Sequence, residues 1–275
     1  MTIMPSEIPN IPVVCCFSGH DPTGGAGMQA DIETLNALGC HACGVITALT
    51  EQDTRNVQRI WPQPATTFLA QAERLLADLP VSAFKIGLLG DAALAETVAA
   101  LLRKFPEIPV VFDPVLAAGG GHSVADADLR RVMTERLMPL TTVLTPNTHE
   151  ARALAALDDG NEDAWARALC DLGCRYVLLS GGHTTTPAVI NCLYRHGQLV
   201  QRLVWPRLPH QYHGSGCTLA SALAAGLAQG LTLEAASERA QRYTWETLHA
   251  TTLRGRGQYL PRRFAFSESN HNDTT

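Results

Sequence analysis

The sequence predicts an α/β fold with three layers, in which a central, mostly parallel β-sheet is covered by helices on both faces. Short strand-like runs alternate with helical patterns along most of the 275 residues. Runs such as Val110-Val-Phe112 and Val177-Leu-Leu179 are apolar throughout, which is typical of strands that helices bury on both faces. After Gly181, two strand-like runs flank His196-Gly-Gln198, which predicts an antiparallel hairpin at one edge of the sheet.

The elements follow one another in a regular order. Met28, Ile32, Leu35 and Leu38 share one face of the first helix, which Gly39 ends. The predicted strands are residues 13–18, 45–49, 83–89, 110–113, 143–145 and 176–180, with helices near 28–38, 66–79, 92–104, 127–137 and 161–172 between them. The edge hairpin pairs 189–194 with 199–205, and two closing helices run from about 216 to 227 and from about 232 to 253. This order is typical of a doubly wound sheet.

The composition predicts a soluble globular protein that binds a small molecule. Hydrophobic residues make up 46% of the chain and charged residues 17%, and no apolar run approaches the ~18 residues of a membrane span. The net charge of −5 is spread without a basic stripe, which favours a small ligand over nucleic acid as the partner. A cluster of arginines near the C-terminus is interpreted as solvated surface: Arg254, Arg256, Arg262 and Arg263.

We expect a single domain over residues 12–263, an N-terminal extension over 1–11 and a disordered polar tail over 267–275. The first residues lack the positively charged start of a secretory signal, and eight cysteines, several of them in apolar segments, are typical of reduced core thiols. Both observations predict the cytoplasm. Cys40-His-Ala-Cys43 and Cys170-Asp-Leu-Gly-Cys174 leave a redox or zinc site open as a minor alternative, although Cys40 leads into a strand rather than a helix.

The most informative segment is residues 213–222 (HGSGCTLASA), in which a glycine-rich turn runs into an apolar helix. The first backbone N–H groups of a helix have no intrahelical partners and carry the positive end of its dipole, so a phosphate docked on Gly214, Ser215, Gly216, Cys217 and Thr218 would satisfy both. The same dipole is expected to lower the pKa of Cys217 and make it a better proton acceptor. The alternative is a tight helix entrance with a small, buried cysteine.

Other polar motifs follow the predicted strands, where ligands collect in parallel sheets. They are residues 18–21 (SGHD), 47–52 (TALTEQ), 113–115 (DPV), 145–147 (TPN) and 180–183 (SGGH). The ten residues 18–27 (SGHDPTGGAG) hold four glycines, which leave room for a flat ligand against the backbone. A tight connection without a ligand is the alternative.

Three further motifs each have two interpretations. Asn147 and Glu150 form either a helix capping box or a water-mediated magnesium site, because magnesium prefers oxygen ligands and keeps several waters. Asp113 is either an Asx turn or a carboxylate at the lip of the crevice. The run Gly119-Gly-Gly121 is either a flap over a reaction centre or a plain solvent loop.

Together these motifs resemble the hydroxymethylpyrimidine/phosphomethylpyrimidine kinases of thiamin synthesis, which are ribokinase-like enzymes. The resemblance spans roughly residues 12–263 and rests on the motifs above together with residues 45–50 (VITALT) and 85–87 (KIG), in the order and spacing of the family. It implies a ribokinase-like fold and a homodimer. It also implies ATP-dependent phosphorylation of 4-amino-5-hydroxymethyl-2-methylpyrimidine, first to the monophosphate and then to the diphosphate, at one site.

The resemblance also implies roles for individual residues. The substrate-binding residues would be Gly19, Asp21, Gln52, Leu88 and Val115, with the amide of Gln52 pairing with the nitrogen edge of the ring. Residues 214–217 would form the anion hole, with Cys217 as the base. Asp113 and Glu150 would hold Mg²⁺, and Asn147, Gly181, Gly182 and Thr218 would bind the nucleotide.

The chain departs from the family pattern at three positions. Ser180 stands where many relatives have a lysine, Leu88 replaces a frequent methionine and His20 a frequent serine. A pyridoxal kinase is the nearest alternative, since that activity occurs among close relatives with the same turn. A non-catalytic nucleotide or pyrimidine sensor is an alternative from another class.

Overall fold

The computed structural model describes residues 11–118, 122–158, 160–182 and 186–264. Residues 1–10 of the predicted N-terminal extension, the glycine run at 119–121, His183 and the tail at 267–275 lie outside the described residues. None of the helices in the described ranges is long and apolar enough to span a bilayer.

The described residues form a nine-stranded sheet and a small two-stranded ribbon. The strands are β1 (Val13–His20), β2 (His41–Gln52), β3 (Val57–Pro62), β4 (Val81–Ile86), β5 (Val110–Phe112), β6 (Ala117–Ala118), β7 (His122–Ser123), β8 (Val143–Leu144), β9 (Tyr176–Ser180), β10 (Ala188–Arg195) and β11 (Gln198–Pro206). The order in the large sheet is β11-β10-β9-β8-β5-β4-β1-β2-β3, and β6 pairs with β7. The six strands from β9 to β2 are parallel, whereas β3, β10 and β11 pair antiparallel.

Helices cover both faces of the sheet. They are α1 (Gly27–Ala37), α2 (Ala65–Asp78), α3 (Ala92–Leu102), α4 (Ala127–Val132), α5 (Thr148–Ala155), α6 (Glu162–Asp171), α7 (Ser215–Ala228) and α8 (Leu233–His249). A π-helical turn (Met133–Leu137) and a 3₁₀ turn (Met138–Leu140) continue α4.

Side chains of β1 alternate between two separate cores, as the period of a strand requires. Cys15 and Phe17 pack with α2 to α6 on one face, whereas Val14 and Cys16 pack with α1, α7 and α8 on the other. The predicted three-layer architecture and the predicted edge hairpin, now β10 and β11, are therefore confirmed.

Local differences from the sequence prediction have simple causes. The strand β3 was not predicted, because it is an edge strand in which only Val57 is buried. The short helix α5 was likewise not predicted beyond its cap, and Ile32, placed on the inner face of α1, is 39% exposed. The eight cysteines are free thiols, and the pair Cys40 and Cys43 lies at the start of β2 rather than at a helix.

Candidate active site

The polar motifs converge on the edge of the sheet where the parallel strands end. The strands β1, β2, β4, β5, β8 and β9 end at His20, Gln52, Ile86, Phe112, Leu144 and Ser180. Since parallel strands end at the same edge, the segments that follow them lie side by side. The predicted site at the carboxyl ends of the strands is thus the place where the structure brings these motifs together.

The turn that leads into α7, residues 213–217, has the geometry of an anion site, and we call it the anion turn. Gly214 is the N-cap residue and has a φ of 78°, a left-handed conformation that suits glycine. The first N–H bonded within the helix is that of Thr218, which donates to Gly214 O at 3.0 Å. The N–H groups of Ser215, Gly216 and Cys217 precede it, and no side chain caps this end. They are therefore available to an anion.

Cys217 lies in this turn, but the shift of its pKa is opposite to the expected one. Burial raises the pKa of the Cys217 thiol to about 12, with Lys85 opposing the rise and Asp113 adding to it. Burial, and then the charges of Asp113 and Asp31, outweigh the helix dipole, because both disfavour a negative charge on the thiol. Cys217 is therefore a neutral thiol at pH 7, and its interaction with the Asp113 carboxylate lowers the pKa of that carboxyl against the effect of burial.

Asp113 faces the anion turn directly. A Cβ built on Gly216 would lie 3.6 Å from Asp113 Oδ2, so the carboxylate stands next to the second residue of α7. Burial raises the pKa of Asp113 to about 6, with Lys85 opposing the rise and Asp31 adding to it. The Asx turn of the alternative interpretation is not needed to explain this side chain, because its partners are other groups of the site.

A buried ion pair, Lys85 with Asp31, links the strands and helices that carry the site. Lys85 and Asp31 are both fully buried, and Lys85 Nζ lies 2.8 Å from Asp31 Oδ1. Ser18 Oγ donates to Asp31 Oδ2 at 2.6 Å and Ser221 Oγ donates to Asp31 Oδ1 at 2.7 Å. Burial alone would lower the pKa of Lys85, but the Asp31 charge holds it above its usual range. The pair joins β1, β4, α1 and α7 beneath the anion turn.

Asn147 and Glu150 form the capping box of α5, and Glu150 also belongs to the site. Glu150 N–H donates to Asn147 Oδ1 and Asn147 N–H donates to Glu150 Oε2, both at 2.9 Å. The second carboxylate oxygen, Oε1, accepts from Leu116 N–H at 3.4 Å. Burial and then the charge of Asp113 raise the pKa of Glu150 to about 8. The two interpretations of this motif are therefore compatible.

The donor chemistry of Asp113 and Glu150 fits a divalent cation. Their carboxylates repel each other in a buried place, and a hard cation with oxygen ligands would relieve that repulsion. No cluster of three or more His, Cys, Asp or Glu side chains with metal-binding geometry occurs in the described part of the chain. Two carboxylates suit Mg²⁺, because this ion keeps waters and takes further oxygens from substrate phosphates.

This repulsion predicts a pH dependence of stability in the cation-free protein. Between the usual pKa of 4.5 and the folded value of about 8, folded Glu150 keeps a proton that the unfolded chain loses, so stability falls as pH rises through this window. We expect the free energy of unfolding of the wild type to fall, relative to that of Glu150→Gln, by on the order of 1 kcal/mol per pH unit between pH 6 and 8. Urea unfolding in EDTA at several pH values measures this difference.

Glu150→Gln is a matched control because glutamine keeps the capping box and removes only the charge. Addition of Mg²⁺ at pH 8 is expected to stabilise the wild type more than the variant. Parallel pH profiles of the two proteins would contradict the assignment of a strained carboxylate.

The glycine-rich turn after β1 is built around Asp21. Its carboxylate accepts from Thr23 N–H at 2.8 Å, Thr23 Oγ1 at 2.9 Å and Ala26 N–H at 2.8 Å, and His213 Nε2 donates to it at 2.8 Å. Burial alone would raise the pKa of Asp21, but the hydrogen bonds from His213 and Gln52 hold it well below its usual range. Asp21 is 3% exposed, so it positions this turn rather than offering a free carboxylate to a substrate.

Of the other predicted substrate residues, Gly19, Leu88 and Gln52 lie at this turn, and Val115 lies beside Asp113. A Cβ on Gly19 would lie 2.8 Å from Leu88 Cδ2, so these two residues are in contact. The Gln52 side chain interacts with Asp21 and lowers the pKa of its carboxyl. Val115 is half-buried and follows Asp113, whose carbonyl accepts from Val115 N–H at 2.9 Å.

The predicted nucleotide residues divide into two groups. Gly181 follows β9 and donates its N–H to Asn191 Oδ1 at 3.0 Å, and Gly182 has open space where a Cβ would stand. Thr218 differs, because it is fully buried and its hydroxyl donates to Gly214 O at 2.8 Å. With both its N–H and its hydroxyl bonded to Gly214, Thr218 holds the anion turn in shape instead of contacting a nucleotide with a free donor.

Sequence reasoning missed several supporting residues. Asp31 lies between Met28 and Leu35 on the apolar face of α1, and an acid on such a face is a recognisable signal of a buried partner. Asn191 Nδ2 donates to Gln241 Oε1 at 3.1 Å behind Gly181, and nothing in the sequence pairs these two residues. Arg263, interpreted as solvated, is 3% exposed.

The fold and this site define the class of ribokinase-like kinases that phosphorylate small molecules. Solved structures of that class superpose closely. A pyridoxal kinase from Bacillus subtilis in an ADP complex gives a TM-score of 0.84 at 26% identity, covering 92% of this chain and 97% of that chain. A phosphomethylpyrimidine kinase from Clostridium difficile gives a TM-score of 0.74 at 29% identity, covering 86% and 99%.

Within this class, the chain belongs to the phosphomethylpyrimidine kinase family, whose model matches residues 21–261. A hydroxymethylpyrimidine/phosphomethylpyrimidine kinase from Streptomyces coelicolor is 39% identical over 236 residues, which are 84% of this chain and 87% of that protein. The thiamine biosynthesis bifunctional protein ThiED of Geobacter sulfurreducens is 40% identical over 248 residues, and the match covers 89% of this chain and half of that protein. The protein is therefore a phosphotransferase.

Proposed function

We propose that this kinase transfers the γ-phosphoryl group of ATP to the hydroxyl of 4-amino-5-hydroxymethyl-2-methylpyrimidine and then phosphorylates the monophosphate to the diphosphate, in thiamin biosynthesis. The observation that carries the proposal is the contact between the two glycine-rich turns. The turn of residues 18–27, with Gly19, Leu88 and Gln52 around it, is joined to the anion turn through the bond between Asp21 and His213 at 2.8 Å. A flat acceptor and a phosphate bound there would be neighbours.

Cys217 and Asp113 take the proton of the alcohol in this proposal. As the alcohol oxygen attacks phosphorus, its proton passes to Cys217 Sγ, and the thiol proton passes to the Asp113 carboxylate, with which Cys217 interacts. A neutral thiol with a pKa of about 12 is a weak base by itself, so the acceptor carboxylate completes the step. The proton balance is closed within the two side chains.

The phosphates are held by main-chain groups and by the carboxylate pair. The N–H groups of Ser215, Gly216 and Cys217 stabilise charge on the transferring phosphoryl group, which is the main contribution in phosphoryl transfer. Glu150 and the Asp113 oxygen that does not accept the proton would hold Mg²⁺, which supplies positive charge to the phosphate oxygens when bound. Asn147, Gly181 and Gly182 line the nucleotide side, where Ser180 Oγ donates to Pro146 O at 3.4 Å in place of a lysine charge.

The test is an ADP-release assay with the purified protein and three acceptors: the pyrimidine alcohol, its monophosphate and pyridoxal. We expect turnover of both pyrimidines. Pyridoxal kinase is the second candidate because the pyridoxal kinase structures of Bacillus subtilis and Staphylococcus aureus superpose with TM-scores of 0.84 and 0.85. Faster turnover of pyridoxal would reverse the order of the two candidates, and tight binding without ADP release would support the sensor.

The remaining features of the proposal come from the family resemblance. Residues 12–263 form one kinase domain, and the protein works as a homodimer in the cytoplasm. Light scattering after size-exclusion chromatography tests the dimer, and fractionation of cells that express the tagged chain tests the compartment.

A further inference from the structure

Arg263 is the last charged residue before the end of the described chain, and it is buried. It is 3% exposed, whereas its neighbour Arg262 is exposed. Burying a guanidinium is costly unless its donors are satisfied, so its partners identify what it stabilises. The residue lies beyond residues 21–261, the part of the chain that matches the family model.

The partners of Arg263 come from both glycine-rich turns. Arg263 Nε donates to Thr218 Oγ1 at 2.9 Å, on the first turn of α7. Nη1 donates to Gly24 O at 3.4 Å and Nη2 donates to Gly25 O, both on the turn after β1. Nη1 also donates to Glu33 Oε2 at 3.1 Å on α1. The planar guanidinium of Arg263 thus connects the turn after β1 with the anion turn.

The segment that carries Arg263 is itself anchored to the site. We define the C-terminal strap as residues 252–263. His213 N–H donates to Tyr259 O at 2.9 Å, and Gln258 N–H donates to Thr54 O at 2.8 Å, two residues after Gln52. Tyr243 Oη donates to Arg263 O at 2.8 Å, which fixes the residue on α8. The strap therefore contacts the anion turn and the end of β2 as well as the turn after β1.

We propose that Arg263 is a positioning residue that sets the distance between the turn after β1, residues 18–27, and the anion turn. In this way it aligns the attacking oxygen of the acceptor with the phosphorus. This inference rests on the proposed function. Arg263 acts through Gly24, Gly25 and Thr218, which accept three of the four hydrogen bonds that its guanidinium donates. A misplacement of about 1 Å between reacting groups can cost about 10²-fold in rate, so a connection of this kind has a measurable effect on turnover.

The geometry requires arginine in particular. Three of the four acceptors are neutral oxygens arranged around one plane, which the rigid fork of a guanidinium can reach together. A lysine ammonium can keep the ion pair with Glu33, but it cannot donate to Thr218, Gly24 and Gly25 at once. A positive charge at this position is therefore not enough to replace the hydrogen bonds of Arg263.

The test compares Arg263→Lys and Arg263→Met with Arg262→Met, a matched control at the exposed neighbouring position. Each turn keeps its own ligand contacts, so we expect the affinity for ADP and for the pyrimidine alcohol, each measured alone by calorimetry, to change less than about 3-fold. We expect kcat to fall about 10²-fold in both Arg263 variants. Arg262→Met is expected to behave as the wild type.

Two results would overturn the inference: unchanged kcat in folded Arg263→Met, or a loss of both ligand affinities in proportion to kcat, which indicates a merely structural role. If Arg263→Met does not fold, Arg263→Lys decides by the same comparison of kcat with the two affinities. Absence of turnover in the wild type would contradict the proposed function itself, whereas an active wild type with insensitive variants would contradict only the role of Arg263.

Discussion

Replacing Cys217 by alanine is expected to lower the phosphorylation of the pyrimidine alcohol by roughly 10²-fold or more, and that of the monophosphate much less. The alcohol is a neutral nucleophile that must lose its proton, and general base catalysis contributes typically about 10²–10⁴-fold. A phosphate monoester has a second pKa near ~6 and is already largely ionised at pH 7, so it needs no base. Steady-state ADP release with each acceptor measures the two losses.

The neutral state of the Cys217 thiol sharpens this prediction. Because burial raises its pKa to about 12, the proposed step needs Asp113 as well as the thiol, and Asp113→Asn is expected to impair the alcohol step too. Cys217→Ser keeps a hydrogen-bonding hydroxyl of similar size and is the control for packing. Equal losses in both steps for Cys217→Ala would refute the proton-accepting role.

Alanine at Gly214 and alanine at Gly216 are expected to have opposite effects on stability, although the positions are two residues apart. A Cβ on Gly214 would lie 1.8 Å from Gly25 O, and its φ of 78° disfavours a side chain. The backbone conformation alone costs about 1–3 kcal/mol, and the contact with Gly25 forces the two glycine-rich turns apart. We expect Gly214→Ala to be strongly destabilised and inactive.

Gly216→Ala is expected to fold normally and lose activity. Its Cβ would meet only Asp113 Oδ2 at 3.6 Å and Oδ1 at 3.7 Å, which are ordinary contacts, and alanine stabilises a helix relative to glycine by about 0.5–1 kcal/mol. The methyl group would stand between the Asp113 carboxylate and the N–H groups that receive the phosphate. Alanine keeps the backbone N–H, but a phosphate displaced from these donors is expected to lose about as much as when one donor is removed, about 10²–10³-fold in kcat.

Thermal unfolding and ADP-release assays on both variants separate stability from activity. An active Gly216→Ala would show that phosphate does not approach the backbone at this residue. A stable Gly214→Ala would show that the two turns can move apart without cost, which would also weaken the argument for Arg263.

Much of the fold could be predicted because the strands are buried on both faces. Runs such as Val110-Val-Phe112 and Val177-Leu-Leu179 can bury their apolar side chains only where helices cover both faces of the sheet. Both runs are central strands of the observed sheet. The edge strand β3 was not predicted because most of its residues are exposed and give no apolar pattern. The π-helical turn at Met133–Leu137 was not predicted because it keeps the apolar spacing of an ordinary helix end.

The site was predictable wherever backbone chemistry defines it. Glycines in 18–27 and 213–217 have few other reasons to occur at the junction of a strand or turn with a helix, and the carboxyl ends of parallel strands must meet at one edge. The ionisation states of the site residues and their hydrogen-bond partners could not be predicted. The pKa of Cys217 depends first on the burial of its own thiol and then on the charges of Lys85, Asp113 and Asp31, which are far apart in sequence.

The amino-acid sequence by itself determined the order of strands and helices, the edge of the sheet at which the polar motifs meet and the glycine-rich turn that we propose as the phosphate site, because these follow from local pattern and backbone geometry. Only the tertiary structure decided that Cys217 is a neutral thiol, that Asp21 and Thr218 are engaged within the protein, and that Arg263 joins two turns. Burial and long-range hydrogen bonds are properties of neighbours in space, and a linear pattern does not contain them.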